Sequence, residues 1–118
     1  MRYMLLIHQD ENIYKSSSQA NVTAMSSDYA AFNEAMKKAG VLLSGERLQF
    51  TDTAASVRVA DGRTEVLDGP YADTKEQFGG FYMIEAPDLD QAVAWAARCP
   101  AAQNGTVEVR PIWELTGN

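Results

Sequence analysis

The sequence predicts an α+β domain in which two helices cover one face of a mainly antiparallel sheet. Three observations carry this. Short apolar runs of strand length alternate with two stretches of helical periodicity. A tight Asp61-Gly62 turn separates two alternating segments. The length, 118 residues, is that of one domain spanning 1–118.

Tyr3-Met4-Leu5-Leu6-Ile7 is apolar in both phases, so 3–8 reads as a central strand covered on each side. Asp10, Glu11 and Asn12 break it. Ser18 or Thr23 then caps a helix, because either hydroxyl can accept from a first-turn amide. Met25, Tyr29, Phe32 and Met36 recur on one face of that helix, with Lys37 and Lys38 in its last turn. Gly40 supplies a left-handed residue to end it. A second strand begins at Val41 and runs toward Leu48. Ala55, Val57 and Val59 alternate with Ser56 and Arg58, so 54–60 reads as a half-exposed strand, with 64–67 as its hairpin partner. Asp68 to Gln77 is polar and contains Gly69-Pro70, the signature of a loop. Phe81 to Ile84 forms another strand. Asp88 and Gln91 have capping-box spacing at the start of a second helix, whose apolar face is Leu89, Val93 and Ala96 or Ala97, and Pro100 ends it. Thr106 to Trp113 makes the last strand.

The order β-α-β-β-β-β-α-β matches a ferredoxin-like split β-α-β unit with an added hairpin. With both helices on one face, the other still carries Leu5, Ile7, Val57, Val59, Phe81 and Met83 in one phase or the other. A bare face of that character is large for a monomer, so the sequence predicts that a second copy covers it, as a two-fold homodimer.

Composition narrows the functional classes. Sixteen acidic residues against ten basic ones leave a net charge of −6, unsuited to nucleic acid or an anionic membrane. The single cysteine, Cys99, allows neither an internal disulfide nor a thiolate zinc cluster. No secretory signal or membrane-length apolar run is present, so a cytoplasmic protein is expected. No glycine-rich phosphate loop of the Gly-x-Gly-x-x-Gly or Gly-x-x-x-x-Gly-Lys-Ser/Thr type occurs, which points to cofactor-free chemistry.

Taken together, Tyr3-Met4-Leu5-Leu6-Ile7, Gly45-Glu46, Asp68-Gly69-Pro70-Tyr71, Thr74-Lys75-Glu76, Gly79-Gly80-Phe81-Tyr82, Asp88-Leu89-Asp90, Trp95 to Pro100 and Val107 to Pro111 are ordered and spaced as in a known family. The chain resembles the DGPF-domain branch of the YCII-related proteins, with Tyr71 in place of the phenylalanine. The resemblance implies a dimeric α+β barrel. In the wider group a histidine on the first helix and an aspartate before a proline have been proposed as a catalytic dyad. The matching positions here lie close to Tyr29 and at Cys99-Pro100, so neither member is present. The branch is often encoded beside extracytoplasmic-function sigma factors, which implies an accessory or regulatory role as the alternative to catalysis.

The candidate site residues follow from chemistry. His8, the lone histidine, is a strand-end residue whose pKa class suits a general base, with Asp68 to orient it. The alternative is a histidine merely hydrogen-bonded to a neighbour, or a metal site of His8 with Asp10 and Glu46. The alternative for Asp68 is a turn residue, its carboxylate accepting from amides of its own loop. Tyr71, Lys75 and Glu76 lie on the same polar loop and are candidates to line a cleft, with Gly79-Gly80 as hinge or β-bulge. Glu46 and Arg47 follow the second strand, and Arg47 can clamp a carboxylate or form an ion pair across a dimer. Cys99 at a helix C-terminus is expected to be an inert, buried thiol. The functional expectation is a small-molecule-binding homodimer, either a cofactor-free enzyme or a non-catalytic regulatory module.

Overall fold

In a computed structural model the described residues are 1–115. Among the described residues six strands and three α-helices are arranged as mixed α+β, with every strand pair antiparallel. The strands are β1 (Arg2–Gln9), β2 (Leu42–Arg47), β3 (Ala55–Ala60), β4 (Arg63–Asp68), β5 (Gln77–Glu85) and β6 (Thr106–Pro111). The helices are α1 (Asn12–Lys15), α2 (Gln19–Lys38) and α3 (Leu89–Arg98). One sheet has the order β2-β5-β1-β6, and β3-β4 form a separate two-stranded sheet.

The helix termini show why the chain turns where it does. Ser18 Oγ accepts from Asn21 N at 3.2 Å, so Ser18, not Thr23, caps α2. At the other end Gly40 N donates to Lys37 O at 3.0 Å and Val41 N to Met36 O at 3.1 Å. With Gly40 at φ +73° this is a Schellman closure. It turns the chain directly into β2. Asp88 Oδ1 accepts from Gln91 N at 2.9 Å and starts α3.

β1 alternates strictly: Tyr3, Leu5, Ile7 and Gln9 are buried and the residues between them are half-buried. The buried set packs under α2 and α3 against Phe32, Met36, Ile84, Ala92, Ala96 and Cys99. Several expectations are corrected here. On α3 it is Ala92 and Ala96 that are buried, while Leu89 and Val93 are about half exposed. The small alanines let the helix approach the sheet closely, and Trp95 packs beside them against Phe32. Leu5 and Ile7 point into the helix layer, so the far face of the sheet is made instead by Met4, Leu6, Phe81 and Met83. Val57 and Val59 do not join that face, because their hairpin is a separate sheet in which every residue of β4 is exposed. β5 begins four residues earlier than the expected Phe81, at Gln77, and α1 was not anticipated. β6 ends at Pro111, and Trp113 is 88% exposed, outside the core.

One irregularity positions the site. Ile7 pairs with Gly80, but His8 pairs with Phe78, so Gly79 is the extra residue of a β-bulge. The bulge returns Phe78 to the far face beside His8, their rings 5.6 Å apart. On the helix-facing side it leaves Gly79 and Gly80 with no side chain beneath the N-terminal half of α2.

Candidate ligand-binding cleft

The space above those glycines is a cleft of about 410 Å³ between sheet and helix. Its floor is Ile7, Gln9, Gly45, Gly80 and Tyr82, and its roof is Val22, Met25, Tyr29, Ala30 and Asn33 of α2. α1 borders it with Tyr14, and Leu48 to Phe50 lie alongside, Lys15 Nζ standing 5.1 Å from the centre of the Phe50 ring. Two glycines are required sterically. A Cβ on Gly45 would stand 2.5 Å from the Tyr82 ring, and one on Gly80 would stand 2.8 Å from the Glu46 carbonyl oxygen. The Tyr82 ring therefore lies flat across β2, edge-on to Phe32 at 5.5 Å.

The wall beneath Tyr14 is a hydrogen-bonded partition. Tyr14 Oη donates to Gln9 Oε1 at 3.0 Å, and Gln9 Nε2 donates to Asn104 Oδ1 at 2.7 Å. A second cleft of about 440 Å³ lies beyond it, bordered by Asp28, Phe32, Arg98 and Asn104 and sharing Gln9, Tyr14, Met25 and Tyr29.

The polar groups of the first cleft differ in how far they are occupied. Glu11 is engaged, accepting from Thr51 N at 2.6 Å and from Thr51 Oγ1 at 2.8 Å. Arg47 places its guanidinium 4.6 Å from the centre of the Tyr14 ring and forms no ion pair with the described residues. Asn33 Oδ1 is buried without a hydrogen-bond partner among the described residues. Burial pushes the Tyr82 phenol up to about 12, with the Cys99 and Tyr14 groups adding and the Asn33 side chain opposing. Burial also raises Tyr29 well above the ordinary phenol range, helped by neighbouring Cys99, Tyr14 and Tyr82. Both phenols are thus held protonated at neutral pH, as hydrogen-bond donors and not as bases. The Cys99 thiol is buried and raised by that burial, an inert group as expected, and it lines neither cleft.

The sequence-predicted site residues are distributed unevenly. Glu46 and Arg47 border the cleft, both exposed at its mouth. His8 projects from the far face, where its Nε2 stands 3.2 Å from Glu108 Oε1. Asp68 ends β4 on the separate hairpin, paired with Ala55, and does not orient His8 within one protomer. The physical reason is register: His8 is opposite Thr106 on β6, which brings Glu108 within reach on the same face. Nor do His8, Asp10 and Glu46 gather, since no cluster of three potential ligands exists among the described residues. Glu76 joins the edge of the His8 region by accepting from Thr106 Oγ1 at 2.9 Å. Lys75 is exposed, and Tyr71, 81% exposed, receives Arg58 over its ring at 5.7 Å. The Asp68-Gly69-Pro70 turn closes the hairpin base through its backbone: Gly69 N donates to Ala54 O at 2.7 Å, and Gly69 O accepts from Ser56 Oγ at 2.9 Å. Asn33, Tyr14, Tyr29 and Tyr82 were missed as site residues. Tyr29 carried core periodicity, and an asparagine inside a helix is the one signal that was available, since it favours caps and turns over helix interiors.

Fold and cleft define a small α+β domain with an antiparallel sheet, roofed by one long helix over a partly apolar pocket. No helix is long and apolar enough to cross a membrane among the described residues. The YCII-related domain matches residues 1–116, and the chain belongs to that family. It is 37% identical over 114 residues to an uncharacterized protein of Rhizobium meliloti (strain 1021), covering 95% of this chain and 92% of that one. Among solved structures it is similar to the 5-chloro-2-hydroxyhydroquinone dehydrochlorinase of Burkholderia phenoliruptrix AC1100 in complex with 2,5-dihydroxybenzoquinone. That likeness has 16% identity and a TM-score of 0.47, over 97% of this chain and 94% of the other.

Proposed function

We propose that this chain is a cytoplasmic, homodimeric small-molecule-binding protein of the DGPF branch, one domain over residues 1–118, with the helix-roofed cleft as its site. The observation that carries the reading is Asn33 Oδ1, a buried acceptor left without a partner beside a cavity of ligand size. A ferredoxin-like topology is supported by the order β2-β5-β1-β6 with α2 and α3 as the two crossovers. Dimerisation into an α+β barrel is supported by the far sheet face, where Met4, Leu6, Phe78, Phe81 and Met83 form an apolar field. It is supported too by a radius of gyration of 16.4 Å, against about 13–14 Å for a compact chain of this length.

The test is protein-observed NMR against a library of small fragments. Binding that shifts the amides of Tyr29, Asn33 and Gly80 is expected. Shifts confined to the far face, or no shifts at all, would refute the cleft as the site. Light scattering is expected to give twice the 13.0 kDa chain mass, and a monomer at micromolar concentration contradicts the dimer.

An enzymatic role for His8 and Asp68 needs the dimer, because the two stand on separate sheets of one protomer. The cleft itself offers Arg47 and Glu46 at its mouth and protonated phenols inside. That set suits recognition without a cofactor, and it serves an accessory module linked to an extracytoplasmic-function sigma factor equally well. The net charge of −6 suits a basic protein partner and no nucleic acid or membrane in that role. Turnover of a bound fragment would decide for catalysis, and stabilisation without product would decide for the regulatory reading.

A further inference from the structure

The cleft sorts its polar groups by sign, and the sorting describes a ligand. This step rests on the reading of the cleft as a binding site. At the mouth, Arg47 has no carboxylate partner among the described residues, and its guanidinium carbon lies over the Tyr14 ring, 4.6 Å from its centre. A guanidinium held over an aromatic face spends no N–H group on a carboxylate of its own chain, and its planar fork can take a ligand carboxylate bidentately. The one cleft carboxylate placed deeper in a network, Glu11, already accepts two hydrogen bonds from Thr51 and has Lys15 Nζ at 3.9 Å. It is thereby less able to satisfy Arg47 or repel an anion. Farther in, Asn33 Oδ1 requires a donor. Between them the walls are apolar or flat, with Ile7, Met25 and Tyr82 among them.

We infer that the ligand is a small aromatic carboxylate bearing a ring hydroxyl: the carboxylate on Arg47, the ring between α2 and the sheet, and the hydroxyl donating to Asn33 Oδ1. A volume of about 410 Å³ holds a single substituted ring and falls at the small end of ligand pockets. Glu46, exposed at the same mouth, selects against a second negative substituent there.

The test is a matched set of probes titrated by NMR into the full chain: para-hydroxybenzoate, benzoate and para-hydroxybenzamide. The acid is expected to bind about ten-fold more tightly than the amide, the scale of one charge-assisted contact. That preference disappears in Arg47→Met, a change at an exposed position that keeps the side-chain stem. The gain of para-hydroxybenzoate over benzoate disappears in Asn33→Leu. An amide that binds as tightly as the acid, or an acid preference that survives Arg47→Met, overturns the inference. If other fragments shift the cleft amides while none of the three probes does, the ligand class is wrong and the binding site stands. If nothing shifts them, both fall.

Discussion

Replacing Asn33 by leucine should make the ligand-free protein more stable. Asn33 lies in the interior of α2, and its Oδ1 is buried with no hydrogen-bond donor among the described residues. A buried acceptor left unsatisfied costs about 1–3 kcal/mol. Leucine has the same branching at Cγ, needs no partner, has its larger methyl groups bordered by the cleft, and gains roughly 0.5 kcal/mol of helix propensity over asparagine. Against this stands whatever the Asn33 amide group contributes beside the Tyr82 phenol. The expected balance is about 1–2 kcal/mol of stabilisation, or about 4–8 °C in Tm for a chain of this size. Ser27→Leu, at an exposed position on the same helix, supplies the propensity control and should shift Tm by only ~1–2 °C. Differential scanning calorimetry of the ligand-free protein measures both. A Tm for Asn33→Leu at or below that of Ser27→Leu refutes the argument that an acceptor is being held open for a ligand.

Truncating Ile84, fully buried beneath the helices, to alanine should cost about 3 kcal/mol in urea unfolding, and a loss under 1 kcal/mol would contradict its place in the core. Tyr82, with its pKa raised to about 12, is more easily kept protonated in the folded than in the unfolded chain. Its contribution is therefore complete below the ordinary phenol pKa of ~10 and lost as pH rises toward 12; ultraviolet titration should find its phenolate appearing only with alkaline unfolding. Glu114 has the opposite sign: the Arg2 hydrogen bond at 2.7 Å lowers its pKa, so the pair helps at neutral pH and is lost as pH falls below ~4. Arg2→Ala should lower Tm slightly at pH 7 and not at all at the acid end, an effect that added salt should also erase. Leu6→Lys, on the far sheet face, should halve the mass seen by light scattering while leaving the helical circular dichroism intact.

The parts of the fold written in local chemistry were open to a reader of the sequence. The Ser18 cap, the Gly40 closure, the Asp61-Gly62 turn (φ 51° and 75°) and the Asp88 cap each depend on residues within five positions of one another. What stayed hidden depends on register between distant segments. β1 is apolar in both phases, so nothing local says that Leu5 and not Leu6 faces the helices. The glycine pair was recognised as a bulge or hinge, but only the pairing of Ile7 with Gly80 and His8 with Phe78 shows which faces it exchanges. The site suffered most from this. Arg47 and Glu46, conspicuous in the sequence as charge at a strand end, border the cleft. His8 was assigned Asp68 as a partner when its cross-strand neighbourhood, invisible in one dimension, supplies Glu108. Asn33 and Tyr82 matter through burial, and burial of a polar group is a tertiary property.

The Gly79 bulge makes occupancy of the pocket and character of the opposite surface a single inherited trait. Inserting one residue between Ile7 and His8, opposite Gly79, would restore an uninterrupted ladder with β5 and turn Phe78 over together with His8, carrying a benzyl group into the space beneath α2. The binding chamber would be stoppered and the outer surface stripped of an aromatic ring in the same event. A lineage carrying this scaffold could thus lose its ligand and remodel its partner-facing side by one codon, with the hydrophobic core of Leu5, Met36 and Ile84 untouched.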